Sequence, residues 1–181
     1  MRSRPALDLL NLPEKALETL YGFQVSNDYR DYETKAKMIV FHEENYAIAD
    51  STGICKTPAA FFTPHLFAFK DYAKMVDGVF GLHFTEDEMK DVGRRIYATE
   101  RLFNIREGMG RKDDYLPERH YEEPTPLGQE INRNKVIDRV KYDAMLDEYY
   151  DFHGWDREGR PLPETLKKIG LDGLDKWEFY S

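Results

Sequence analysis

Apolar residues recur along this chain at three- and four-residue steps, the period of a helical face packed on one side. After Pro13, Leu17, Leu20 and Tyr21 share such a face and predict a short helix inside an entry arm spanning residues 1–27. From Asp28 to about Ala49 the positions Tyr32, Ala36, Ile39, Val40, Glu43, Tyr46 and Ala47 predict a longer helix, ended by Gly53 as a left-handed cap. Thr57-Pro58 opens a short helical turn, and Pro64 opens a helix through Phe67, Tyr72, Met75 and Val76 to a stop at Gly78. Thr85-Glu86-Asp87-Glu88 is a capping box, followed by Met89, Val92, Ile96 and Phe103 on one helix. Between Gly108 and about Lys135 neither period appears, which predicts a long ordered loop of the kind that is functional or packed on a partner. A further helix begins near Asp138, with Tyr142, Met145, Leu146, Tyr149 and Phe152 in one stripe before Gly154. Pro163 to Ile169 forms the last, stopped by Gly170. No segment alternates apolar and polar residues as a strand does, so residues 28–181 read as one all-α domain.

Composition narrows the function classes. The 181 residues carry 26 Lys and Arg against 34 Asp and Glu, a net charge of −8 with both signs interspersed. That balance argues against nucleic acid as a partner, because affinity for it comes largely from neutralised phosphates. The basic start Met1-Arg-Ser-Arg-Pro5 is not followed by the apolar run of a signal peptide. No apolar stretch approaches the roughly 18 residues that span a bilayer, so no membrane role is expected. With one cysteine only, these features point to a reducing cytoplasm.

Most chemical motifs are missing. His42-Glu43-Glu44-Asn45-Tyr46 begins like a zinc-protease helix, but Tyr46 stands where the second histidine must be. His65, His83, His120 and His153 lack ligand spacing and read as packing or surface residues. Asp113-Asp114 and Glu122-Glu123 read as solvated loop charges, so no catalytic acid or base is assigned. Arg94, Arg95, Glu100, Arg101, Arg106, Glu107, Arg111 and Lys112 form a dense charged region. It reads either as weak surface ion pairs or as arginines bridging to another domain. Cys55 has two readings on spacing alone: a small buried hydrophobe, or a thiolate ligand whose co-ligands lie elsewhere, since an iron-sulfur cluster takes about four cysteines. Asp50 is by the same token either a helix-end residue facing water or a functional carboxylate.

The segment Asp50-Ser-Thr-Gly53-Ile54-Cys55-Lys56 resembles the D-x-x-G-[LI]-C-K motif of tungsten-containing aldehyde ferredoxin oxidoreductases, with isoleucine where leucine is usual. Arg101-Leu-Phe-Asn-Ile-Arg-Glu-Gly108, Arg111-Lys-Asp-Asp-Tyr-Leu-Pro117, Leu146-Asp-Glu-Tyr-Tyr150 and Gly154-Trp155-Asp156 follow in the order of that family's C-terminal region. The resemblance runs from about residue 25 to near the end. It implies an irregular helical domain like the C-terminal one of those enzymes. In such a domain Asp50 faces a pterin, Gly53 and Ile54 shape the turn against the cofactor, and Cys55 gives one of four thiolates to a [4Fe-4S] cluster. A carboxylate suits the first role because its two oxygens match paired N–H donors on the pterin's amino-pyrimidine edge. The implied whole enzyme oxidises an aldehyde and water to a carboxylic acid at tungsten, or molybdenum, held by two pterin dithiolenes, and passes electrons to ferredoxin. The β-rich pterin-binding domain and the domain with the other three cluster cysteines have no counterpart in this chain. The expectation is therefore a fragment or subunit that meets those domains in cis or in trans and is inactive alone. The rival expectation is a stand-alone helical interaction or assembly module that binds no cofactor.

Overall fold

A computed structural model describes residues 14–26, 31–55, 67–124 and 134–174. The described residues are all-α, with helices α1 (Glu14–Tyr21), α2 (Lys35–Ser51), α3 (Phe69–Phe80), α4 (Glu86–Arg106), α5 (Arg119–Glu122), α6 (Arg139–His153) and α7 (Pro163–Lys168), plus a 3-10 turn at Arg111–Asp114. The nearest approach to a strand among them is an isolated antiparallel bridge between Trp155 and Pro161. No helix in the described residues is long and apolar enough to cross a membrane.

The central element is α2, which packs against both α4 and α6, while α3 packs on α4. An amphipathic surface helix buries one stripe, but α2 buries residues around most of its girth, from Ala36, Met38 and Val40 to His42, Glu43, Glu44, Asn45 and Tyr46. Its close approach to α4 is set at Gly93, where a Cβ would lie 2.6 Å from the carbonyl oxygen of Glu44. Hydrogen is the only side chain that lets these two backbones meet at this separation.

Four apolar clusters surround this axis. Leu17, Tyr21 and Val25 pack with Met38 of α2, which makes α1 part of the core. Ile48, Ala49, Phe69, Tyr72, Ala73 and Met89 join α2, α3 and α4. Ala98 and Leu102 of α4 meet Leu166 and Ile169, and Leu146 and Tyr150 of α6 meet Trp155.

The helix ends follow local chemistry. Thr85 accepts from the Glu88 amide at 3.2 Å while the Glu88 carboxylate accepts from the Thr85 amide at 2.8 Å, the reciprocal capping box expected at α4. Asp138 likewise accepts from Lys141 N–H at 3.1 Å and starts α6. Three expected boundaries move. The second helix begins at Lys35 rather than Asp28, because Thr34 takes a positive φ of 63° and its hydroxyl accepts from Ser26 N–H. Side-chain bonds to the backbone compete there with helix. Tyr32 then lies in the preceding turn, its hydroxyl accepting from Asp138 N–H at 3.0 Å. The third helix starts at Phe69 and runs through Gly78 to stop at Gly81, whose φ is 67° and whose amide donates to Asp77 O. A glycine inside a helix costs only about 1 kcal/mol, which tertiary packing readily offsets. The expected loop from Gly108 holds the 3-10 turn and α5 in its described part. The turn expected at Thr57-Pro58 lies outside the described residues.

Candidate functional site

The C-terminal end of α2 is built as a complete Schellman motif. Gly53 takes φ 73°, its amide donates to Asp50 O at 3.2 Å, and Ile54 N–H donates to Ala49 O at 2.9 Å. Glycine belongs at this position because other L-residues strain at positive φ. Ile54 folds back and packs against the cluster of Ile48, Ala49, Phe69 and Tyr72. This apolar clamp is the hydrophobic contact that accompanies such caps. Asp50 and Cys55 flank the clamp, and both are exposed. The reading of Cys55 as a buried small hydrophobe is therefore corrected: burial at this turn falls to Ile54, and the thiol stays outside.

Asp50 lies in the last turn of α2. A helix C-terminus carries partial negative charge, and the last turn of α2 contains no basic residue to offset it. Nearby, the fully buried Tyr72 hydroxyl has no hydrogen-bond partner among the described residues. Burial pushes this phenol up to about 12, and neighbouring Tyr46, Asp50 and Asp71 add to the effect. An unsatisfied buried hydroxyl costs about 1–3 kcal/mol. Among the described residues no three His, Cys, Asp or Glu side chains lie close enough to hold a metal ion. A cluster at Cys55 would thus draw its other thiolates from outside the chain.

The orientation of α2 is held by polar groups that the sequence reading discounted. Glu43 lies on the helix face expected to be buried, and it is: its carboxylate accepts from the Tyr97 hydroxyl at 2.7 Å and pairs with His153 Nε2 at 3.2 Å. His153 stacks on Trp155 at 4.4 Å and on Tyr97 at 5.3 Å. Glu44, buried beside it, accepts from Arg94 at 3.1 Å. Burial pushes the Glu44 carboxyl up, and Arg94 pulls it back. These bonds tie α2 to α4 and α6 two helical turns before Asp50. The cue available in the sequence was a pair of carboxylates at core-facing helix positions. Their partners lie 50–110 residues away, which no local pattern reveals. His42, the residue of the failed zinc motif, is also buried, with Nε2 2.7 Å from the Tyr21 hydroxyl, and burial lowers its pKa to about 3. It stays neutral.

The reading of the charged region as weak surface ion pairs is corrected for Arg101. Arg101 is 7% exposed and makes a two-pronged contact with Asp114 at 2.9 and 2.6 Å, while its Nε donates to Gly159 O at 2.8 Å. Asp114 also accepts from the Tyr150 hydroxyl at 2.6 Å. Arg111 donates to Asp147 at 2.6 Å. The bridges run within this domain, and Asp114 is a buried-side partner rather than a solvated loop charge. Asp113 keeps a local role, accepting from Gly110 N–H at 2.9 Å.

Fold and site together define an all-α domain whose α2 ends in a Schellman turn with Asp50 and Cys55 exposed beside it. The family model described as "Aldehyde ferredoxin oxidoreductase, domains 2 & 3" matches residues 8–171, and the chain belongs to the aldehyde ferredoxin oxidoreductase family as a C-terminal domain. A tungsten-containing aldehyde ferredoxin oxidoreductase of Pyrococcus horikoshii is 35% identical over 155 residues, covering 84% of this chain and 24% of the relative. The enzyme of the same description from Pyrococcus furiosus is 32% identical over 154 residues, with the same coverage. An aliphatic sulfonate oxidoreductase, WOR-like subunit, of Pyrococcus furiosus is 29% identical over 109 residues, 57% of this chain and 17% of that one. The fold is also that of a chain in the active site complex BamBC of benzoyl coenzyme A reductase solved with 1,5 dienoyl-CoA. The TM-score is 0.66 at 24% identity, covering 82% of this chain and 21% of that one. This chain spans about a quarter of the length of the curated relatives it matches.

Proposed function

We propose that the chain is the helical C-terminal part of a tungsten- or molybdenum-pterin oxidoreductase of aldehydes, with Asp50 as a pterin contact and Cys55 as one ligand of a [4Fe-4S] cluster. The observation that carries this reading is the α2 terminus, where Ile54 is clamped inward and two chemically apt side chains are left outside on either side of it. A second support is the run of exposed Val79, Phe80 and Leu82, apolar surface available for a covering domain. The metal–pterin group supplies the two-electron oxidation of an aldehyde and water to a carboxylic acid, two protons being released, with ferredoxin as the final acceptor. This chain's own residues bind and orient. The Asp50 oxygens would accept paired N–H donors, the Gly53 turn lets backbone approach closely, and the exposed Cys55 sulfur would bind iron as the thiolate. The Glu43–His153–Tyr97 bonds fix how α2 presents that end. The remaining pterin- and cluster-binding domains come in cis or in trans.

Asp50→Asn tests the proposal. In the complex with those domains, loss of the charge-assisted contact is expected to weaken pterin retention about 10- to 100-fold. The stability of the chain alone should change by no more than about 0.5 kcal/mol, as for an exposed residue. Pterin content unchanged by the substitution would refute the Asp50 assignment.

A further inference from the structure

Between α1 and α2 lies a histidine that the proposed function leaves unused. His42 is fully buried, and its Nε2 faces the Tyr21 hydroxyl of α1 at 2.7 Å. Its Nδ1 has no hydrogen-bond partner among the described residues. Around it stand rings: Tyr21 at 5.4 Å, Phe41 at 5.6 Å and Tyr46 at 5.5 Å, with Phe69 of α3 packed on Phe41 behind them. The titratable groups that face it are thus two phenols, Tyr21 from α1 and Tyr46 from α2 itself. Glu43 and Glu44, next to it in sequence, turn to α4 and α6, where they meet Tyr97, His153 and Arg94. Glu14, Lys15 and Glu18 of α1 are exposed. His153, whose side chain is also buried, has the Glu43 carboxylate beside it, whereas His42 has no counter-charge and feels burial alone.

We propose that α1 is an acid-released latch, docked on α2 while His42 is neutral and let go when His42 takes a proton. A protonated His42 would put a charge, and an Nδ1–H without an acceptor, inside an aromatic shell, which costs far more than the same cation in water. Opening the wall that Tyr21 forms relieves both. That wall is thin. The helix packing of the core joins α2 to α4 and α6, and α3 to α4, whereas Leu17, Tyr21 and Val25 meet α2 at Met38. Gly22 follows α1 at φ 73°, and beyond it Ser26 is anchored to Thr34 and Lys35, so the hinge falls between Gly22 and Ser26. Eight residues do not sustain a helix by themselves in water, so α1 unravels once it leaves α2. Local opening of this kind needs less than global unfolding. The sign follows from the two states of the imidazole. Open to water it protonates at its ordinary 6.5, and burial lowers this to about 3. The docked form is therefore favoured in full above about 6.5 and loses ground as pH falls from there towards 3. The latch does not depend on the Asp50 and Cys55 assignments.

The test follows amide hydrogen exchange of the full 181-residue chain from pH 7 to pH 4.5, with each rate divided by that of an unstructured chain at the same pH. Protection from Leu17 to Tyr21 is expected to fall by up to about tenfold per pH unit below about 6.5, roughly 50- to 100-fold across the range. Protection of α4 and α6 should fall far less over the same range. In His42→Phe, which keeps a ring in the shell but takes no proton, the acid loss at α1 should vanish. Tyr21→Phe removes only the hydroxyl and keeps His42, so α1 protection should drop at pH 7 while its pH slope remains. Protection of α1 that is independent of pH, that falls only in step with α4, or that keeps its slope in His42→Phe would each overturn the proposal. Should His42→Phe fail to fold, the slopes of the unsubstituted chain and of Tyr21→Phe decide the matter by themselves.

Discussion

With Cys55 a cluster ligand as proposed, Cys55→Ser is expected to leave the complex without a [4Fe-4S] cluster while the helical chain folds as before. The cluster takes about four thiolates, and a serine hydroxyl at neutral pH is neither anionic nor soft enough to replace one. Cys55 is exposed and the turn is held by Ile54 and Gly53, so removal of the sulfur leaves the described core cluster of Ile48, Phe69 and Tyr72 intact. Iron bound per complex should fall from about four atoms toward zero after anaerobic gel filtration, together with the loss of the cluster's visible absorption. The thermal midpoint of the chain alone should stay within the range of surface substitutions, about 0.5 kcal/mol. An intact cluster in the variant would remove Cys55 from the ligand set.

The second large effect concerns the fold. Asp114→Ala strands the Arg101 guanidinium in a site where it is 7% exposed, and also takes the acceptor from the Tyr150 hydroxyl. Removing one partner of a buried pair costs about 3–5 kcal/mol, because the remaining charge has no solvent to turn to. For a chain of this size each kcal/mol moves the midpoint about 2–4 °C, so a fall of roughly 6–20 °C is expected. The same loss should appear in urea as a lower midpoint at constant slope. The double variant Arg101→Met with Asp114→Ala should recover part of it, since no buried charge is then uncompensated. A loss below about 1 kcal/mol would show that water reaches Arg101 in solution.

What was legible in the sequence depended on the range of the interaction that decides each feature. Thr85 and Glu88 are three residues apart and cap each other, so the start of α4 was visible; so were Asp138 at α6 and Gly53 at the end of α2. The segment around Asp50 and Cys55 was readable because the bonds of its Schellman turn and both side chains fall within seven residues, from Ala49 to Cys55. Gly78 misled because a lone glycine is compatible with either a stop or a helix interior. The choice was made by whether the following residues kept helical bonds, as Val79 and Phe80 do. The early start assigned to α2 failed where Ser26 and Thr34 bond to each other across a turn.

The buried polar network was invisible for a different reason. Arg101 finds Asp114 across a helix end, Glu44 finds Arg94 from 50 residues away, and Glu43 finds His153 from 110 away. A charge read singly defaults to the surface, which is where most unpaired charges stay. Here the helices bring opposite signs and hydroxyls together, and the charges become interior ties that set how α2 is held. The α2 terminus is thus a short local motif whose placement rests on long-range polar contacts.

The most direct test of the account is native mass spectrometry of the protein isolated without oxygen from its source cells. The account predicts this chain in one assembly with the pterin- and cluster-binding domains, whether as a longer polypeptide or a separate subunit, with added mass for iron-sulfur, tungsten or molybdenum, and pterin. A bare monomer or self-dimer without cofactor would contradict it, leaving a helical interaction module whose family membership records ancestry rather than activity.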